Sequence, residues 1–254
     1  MYMAENTEGY ANIQSTARIK ENDYIISCND LTKSYGKAAP ALYSINLNVL
    51  KGRIIGLLGP NGSGKTTFIK ILNGLLQPSH GDVMINGMPI GPETKAVVSY
   101  LPDKTYLNGS LTVMKAIEYF EDFYKDFDRN RAITLLNDLK ISSTSIIKTL
   151  SKGTQEKLQL ILVMSRNADL FLLDEPIAGV DPAARDYIIR TIIENRPKSS
   201  SVLISTHLIR DIEPVLDDYI FLFNGQIYEY DRVSNIKSQT GKTLDDHFKE
   251  VFRC

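Results

Sequence analysis

The chain has 254 residues and a mass of 28.5 kDa, enough to bury a sizeable core without disulfides or a metal staple. Its 29 basic and 30 acidic residues leave a net charge of −1, so no strongly basic face argues for a nucleic-acid partner. Cys28 and Cys254 lie near opposite ends, which speaks against a disulfide framework and for a reducing cytosol.

The first 20 residues are polar and lack a basic start followed by an apolar run, so they read as a mobile tail and not a secretory signal. Tyr24 to Cys28 and Ile45 to Val49 are expected strands, the second with clean alternation. Ile54-Ile55-Gly56-Leu57-Leu58 is a continuous apolar run, as a strand buried on both faces requires. A glycine-rich turn follows, and then a helix through Thr67 to Leu72 that stops near Gly74 and Pro78. Leu111 to Ser165 is mostly helical, interrupted by the polar Ser142-Ser143-Thr144-Ser145 loop. Leu170 to Leu173 and Ser201 to Ser205 are two more buried-type strands, and Asn224-Gly225 joins a hairpin. Strands alternating with helices predict a parallel α/β core, with the helical block as an inserted subdomain. No apolar run approaches the roughly 18 to 20 residues that span a bilayer, so work at a membrane is expected to go through a partner.

The turn Gly59-Pro60-Asn61-Gly62-Ser63-Gly64-Lys65-Thr66 fits G-x-x-x-x-G-K-[ST] between a strand and a helix. Glycines there let backbone N–H groups turn inward around phosphate oxygens, and the helix start adds a positive dipole end. Lys65 supplies a point charge for the β- and γ-phosphates, and the Thr66 hydroxyl is a candidate Mg²⁺ ligand. Asp174 and Glu175 follow the apolar strand Leu170 to Leu173, at the edge where open parallel sheets bind ligands. Asp174 suits Mg²⁺ and Glu175 an attacking water, so hydrolysis is favoured over binding alone. Upstream, Ser151 is a candidate N-cap of a long helix, and Gly153 permits close approach by another molecule.

These motifs resemble, in order and spacing, the nucleotide-binding subunit of ATP-binding-cassette (ABC) transporters, from about Tyr24 to the C-terminus. Tyr35, in Leu31-Thr32-Lys33-Ser34-Tyr35-Gly36, matches the aromatic that stacks on adenine. Gly59 to Thr66, with Thr67, matches the Walker A loop, and Leu170 to Asp174 the Walker B strand with Glu175 as catalytic base. Ser151 and Gly153 match the signature, 23 residues ahead of Asp174; Ala178 to Asp181 matches the D-loop, and His207 matches the switch histidine that senses the γ-phosphate. The signature reads Leu-Ser-Lys-Gly-Thr instead of Leu-Ser-Gly-Gly-Gln, and Asp103 stands where a glutamine usually links Mg²⁺ to the membrane partner.

The resemblance implies a P-loop NTPase core with a mainly parallel sheet, an N-terminal antiparallel β subdomain and a helical subdomain at about 104–158. It places the cassette at 21–232 and a short helical extension at 233–254, similar to that of bacterial drug- and bacitracin-type exporters. ATP and Mg²⁺ are the implied ligands, with catalysis by Glu175, His207 and Lys65 and the metal on Thr66, Asp103 and Asp174. A second ATP-binding subunit, identical or different, and an integral membrane permease are the implied partners, no nucleic acid, and the inner face of the cell membrane the implied location. Competing readings are an importer ATPase, a soluble ABC protein acting on ribosomes or DNA, and a different P-loop enzyme. One cassette without a heptad insertion argues against the soluble ABC protein, and the lack of Asn-Lys-x-Asp against a GTPase.

Overall fold

The computed structural model describes residues 23–36 and 39–252; the expected N-terminal tail and Cys254 lie outside them. Ten strands and nine α-helices are assigned among these residues, in two sheets. The first sheet is antiparallel, with β1 (Tyr24–Lys33) between β2 (Leu42–Leu50) and β4 (His80–Ile85), and the short β5 (Met88–Pro89) at its edge. The β2 side chains alternate between buried Leu42, Ile45, Leu47 and Val49 and exposed neighbours, the signature of a sheet solvated on one face. Asn86 and Gly87, both at positive φ, turn β4 into β5; this second Asn-Gly pair is as legible in the sequence as Asn224-Gly225.

The second sheet has the order β10-β9-β3-β8-β7-β6. Its parallel strands are β3 (Ile54–Leu58), β6 (Val98–Leu101), β7 (Leu170–Asp174), β8 (Ser201–Ser205) and β9 (Asp218–Phe223). Only β10 (Gln226–Arg232) runs antiparallel, on the far side of the Asn224-Gly225 turn. Every β3 residue is buried, and alternation divides them between two cores. Ile55 and Leu57 pack with the antiparallel sheet and with Phe68 and Ile69 of α1 (Lys65–Leu72). Ile54 and Leu58 pack on the other face, against α5 (Lys152–Met164) and α6 (Pro182–Asn195). Between α1 and β6 lies the short α2 (Pro92–Val97).

A third core belongs to the helical block: Val113, Ile117 and Phe120 of α3 (Val113–Phe123), Ala132 and Leu136 of α4 (Arg129–Asp138), and Leu158, Ile161 and Leu162 of α5. Thr112 and Asp128 cap the first two of these helices by accepting from the N–H three residues on. Arg166, after α5, is the clamp between units. It is buried, donates to the carbonyls of Val98 and Ala96, bonds Asp126, and lies 3.8 Å over the Tyr124 ring. The chain closes with α7 (Ile209–Ile212), α8 (Val233–Thr240) and α9 (Leu244–Phe252). Phe248 and Phe252 of α9 contact Phe221, and His247 stacks on the same ring while bonding Glu229.

Asp218, at the start of β9, is 3% exposed, and its Oδ1 is buried without a hydrogen-bond partner. Burial raises its pKa from 3.8 to about 6, with Arg53 pulling the other way. A carboxyl so raised binds more protons folded than unfolded between those values, so its contribution to stability falls as pH climbs through that window. Asp218→Asn is therefore expected to stabilise the protein at pH 7.5 by about 1–3 kcal/mol. The gain shrinks below pH 6, as read by urea unfolding of both chains across pH 5–8. A gain independent of pH, or a loss at pH 7.5, contradicts this.

Candidate nucleotide site

Parallel pairing decides where the chemistry collects. Leu57 of β3 and Asp174 of β7 both stand beside Ser205 of β8, so the carboxyl ends of all three strands open on one edge. From that edge leave the loop Gly59 to Gly64, the pair Asp174-Glu175, and Thr206-His207. Ligands sit outside this edge in open α/β sheets.

The loop has no room for other residues at key points. A Cβ on Gly59 would lie 2.1 Å from the Leu222 carbonyl oxygen and 2.7 Å from Ser63 Oγ. Gly62 and Gly64 have φ of +81° and +109°, which side-chain-bearing residues rarely adopt. Lys65 is buried and turns back over the loop, donating to the carbonyls of Gly59 at 2.8 Å and Pro60 at 3.1 Å. Desolvation lowers its pKa, opposed by the charges of Glu175 and Asp174. Ser63 Oγ is buried without a hydrogen-bond partner. The Tyr35 ring, 49% exposed, stands beside the start of α1, its hydroxyl 3.5 Å from Thr67 Oγ1.

Asp174 is buried at the strand end. One oxygen accepts from Ser205 Oγ at 2.5 Å and lies 3.4 Å from Thr66 Oγ1; the other, Oδ2, is buried with no hydrogen-bond partner. Burial raises its pKa, against the bonds from Ser205 and Thr66 and together with the charges of Asp103 and Glu175. A buried carboxylate oxygen with nothing to accept is an open ligand position, and a hydroxyl and a carboxylate are the oxygen donors Mg²⁺ takes. Asp103 is exposed on the loop after β6, two residues past Leu101, which pairs with Leu173. Gln159 of α5 fastens that loop, accepting from the Tyr106 N–H at 3.1 Å and donating to the Pro102 carbonyl at 3.4 Å.

Glu175 has φ of +52°, a left-handed conformation that costs a residue with a side chain roughly 1–2 kcal/mol. Its N–H donates to the Ser205 carbonyl at 3.0 Å, with Ser205 Oγ at 3.2 Å, so β8 holds the kink. The kink turns the carboxylate to His207, whose Nδ1 lies 3.1 Å from Oε2. Lys65, Thr66, Asp174, Glu175 and His207 thus converge on one edge. Ser151 and Gly153 do not join them: no contact links them to the loop among the described residues. Ser151 caps α5 by accepting from the Thr154 N–H at 3.2 Å, and Gly153 is exposed with open space around it. Asp181 is exposed just before α6, with its carbonyl accepting from the N–H groups of Ala184 and Arg185.

The family model for ABC transporter matches residues 42–178, more than half of the chain. The chain belongs to the ABC transporter family. An uncharacterised ABC transporter ATP-binding protein of Methanocaldococcus jannaschii is 33% identical over 83% of this chain and 79% of its own length. The ABC-type transporter ATP-binding protein EcsA of Bacillus subtilis is 29% identical over 89% of this chain and 96% of its own. A solved structure of an ATP-binding subunit of an ABC transporter superposes with a TM-score of 0.81 at 28% identity, covering 90% of this chain and 99% of that one. This ABC subunit is an ATP-binding ATPase with the P-loop NTPase fold that its sequence implied. Sequence reasoning passed over Ser205, which grips both Asp174 and the Glu175 backbone; only strand register brings it there. Among the described residues no helix of this ABC subunit is long and apolar enough to cross a membrane.

Proposed function

We propose that this subunit powers a separate membrane permease, and that the convergent site is one half of an ATP sandwich. The observation that carries the reading is the separation just described: the triphosphate loop and acids on one sheet edge, the serine-capped helix start exposed elsewhere. The loop, Lys65 and Thr66 hold one side of the triphosphate, and the γ-phosphate's outer face still needs donors. Ser151 and Gly153 of a second copy supply them, which suits an uncovered helix start. Tyr35 stacks on adenine, and Asp181 lies at the seam between the copies. Thr66, Asp174 and Asp103 would hold Mg²⁺, which when bound would supply positive charge against the phosphates.

Glu175 accepts the proton of the attacking water as oxygen bonds to the γ-phosphorus and the bond to the β–γ bridging oxygen breaks, releasing ADP and phosphate. His207, bonded to Glu175, orients that carboxylate and contacts the γ-phosphate. Residues 21–232 form the cassette, about 104–158 its helical subdomain and 233–254 its extension. The extension and the Ser-Lys-Gly-Thr signature favour export of a small molecule, drug or peptide, by their likeness to drug- and bacitracin-type subunits. The subunit then sits on the inner face of the cell membrane through its permease.

The helical subdomain supplies a docking face. Of its aromatic run, Phe120 is buried, but Tyr119 and Phe123 are 60% and 66% exposed, with their rings stacked at 6.2 Å. Such an exposed apolar pair on a helix suits a partner's helix. Changing both Tyr119 and Phe123 to Ala is expected to leave ATP hydrolysis by the purified subunit within twofold. Recovery with membranes, in cells that express the permease, falls at least tenfold. Undiminished recovery refutes the docking face; recovery in cells without any permease refutes the partnership.

A further inference from the structure

The catalytic pair is held by a ring of bonds that passes through Arg185. This side chain lies on the first turn of α6 and, as helical side chains do, points back toward the helix start. Its Nε donates to the Val180 carbonyl at 3.1 Å, inside the loop Ala178 to Asp181, and its Nη1 to Asp211 Oδ2 at 2.8 Å. Asp211 lies on α7, four residues past His207, and its N–H donates to the Leu208 carbonyl. The Leu208 N–H in turn donates to Thr206 Oγ1 at 3.1 Å. On the other side, the Ala178 N–H donates to the Glu175 carbonyl at 3.2 Å. The Glu175–His207 bond closes the ring.

An ion pair whose partners are 22% and 35% exposed contributes little to stability, typically 0–1 kcal/mol. Its geometry is more informative than its energy. A guanidinium binds two acceptors at fixed angles, which a flexible ammonium cannot do. Here one acceptor belongs to the loop carrying Asp181 and the other to the helix carrying the His207 turn. We propose that Arg185 is a positioning residue for hydrolysis: it locks the loop after Glu175 to the segment after His207, so that acid and histidine keep their mutual geometry.

The inference rests on the reading of Glu175 and His207 given above. Arg185→Ala is expected to lower kcat about tenfold while KM and the equilibrium Kd for ATP stay within twofold. Asp211→Ala lowers kcat similarly, and the double variant is no slower than the worse single, because both break one ring. Asp211→Asn, whose amide oxygen still accepts from Nη1, retains at least half of kcat. Arg185→Lys keeps the charge but not the fork, and lowers kcat at least threefold; it decides the matter if the alanine chain is insoluble. All rates are taken at least 20 °C below each variant's melting temperature, so a loss of fold does not enter. An unchanged kcat, losses that multiply in the double variant, or a Kd that rises in step with the fall in kcat overturns the proposal. A Glu175→Gln control separates the two readings. If that chain still hydrolyses ATP, the site assignment fails; if it is inactive beside a fully active Arg185→Ala chain, only the ring fails.

Discussion

Replacing Glu175 by glutamine lowers ATP hydrolysis by about 10²–10⁴-fold, the range in which loss of a positioned general base falls, and leaves ATP binding intact. The amide has the shape of the carboxylate and can still bond His207, 3.1 Å away, and the backbone kink at φ +52° is held by Ser205, which the substitution does not touch. What disappears is the acceptor for the water's proton. In the sandwich proposed above the two copies separate only when the γ-phosphate is lost, so the variant is expected to run as a dimer in ATP and as a monomer in ADP. Light scattering after size exclusion, with both nucleotides, reads the outcome alongside phosphate release. A rate within threefold of the parent removes Glu175 from the role of base. A blocked rate with no dimer in ATP leaves the base in place but removes the sandwich.

Much of this site is legible in the amino-acid sequence, and the reason is local. A phosphate cradle is built from backbone, so its demands fall on consecutive residues: glycines at Gly59, Gly62 and Gly64 answer a carbonyl too near for a Cβ and two positive φ angles. The buried strands β3, β7 and β8 are equally local signals, since burial on both faces leaves no polar alternation. What escaped is set by register and by packing between distant segments. Ser205 meets Asp174 only because β7 and β8 pair in one register out of several that their apolar runs permit. Gln159 looks like a surface residue in its helix, yet it is 3% exposed and fastens the loop around Asp103. The helical block shows a similar limit: periodicity gave helices, but it did not separate buried Phe120 from exposed Tyr119 and Phe123.

Lys65→Ala is expected to lose at least about 100-fold in ATP affinity, the upper range for a hydrogen bond to a charged group. Without nucleotide the Lys65 ammonium is spent on the carbonyls of Gly59 and Pro60, so the loop is held in its ring before phosphate arrives. The same burial that lowers its pKa makes a phosphate a better partner than those carbonyls, because full charge meets full charge where little water screens it. Removing the amine therefore subtracts the strongest donor and also loosens the cradle. These two effects separate in a thermal melt. Ligand at 100 times its Kd stabilises a folded protein by about 2.7 kcal/mol, so ATP raises the melting temperature of the parent by several degrees. At the same ATP concentration the variant shows a shift near zero, while its nucleotide-free melting temperature drops by a few degrees, since it loses one bond to the buried Gly59 carbonyl and one to the part-buried Pro60 carbonyl. An ATP-induced shift equal to the parent's means that the backbone amides and the helix start hold the triphosphate without Lys65. A large drop without nucleotide, with the shift preserved, makes the lysine a strap for the loop and not a ligand for phosphate.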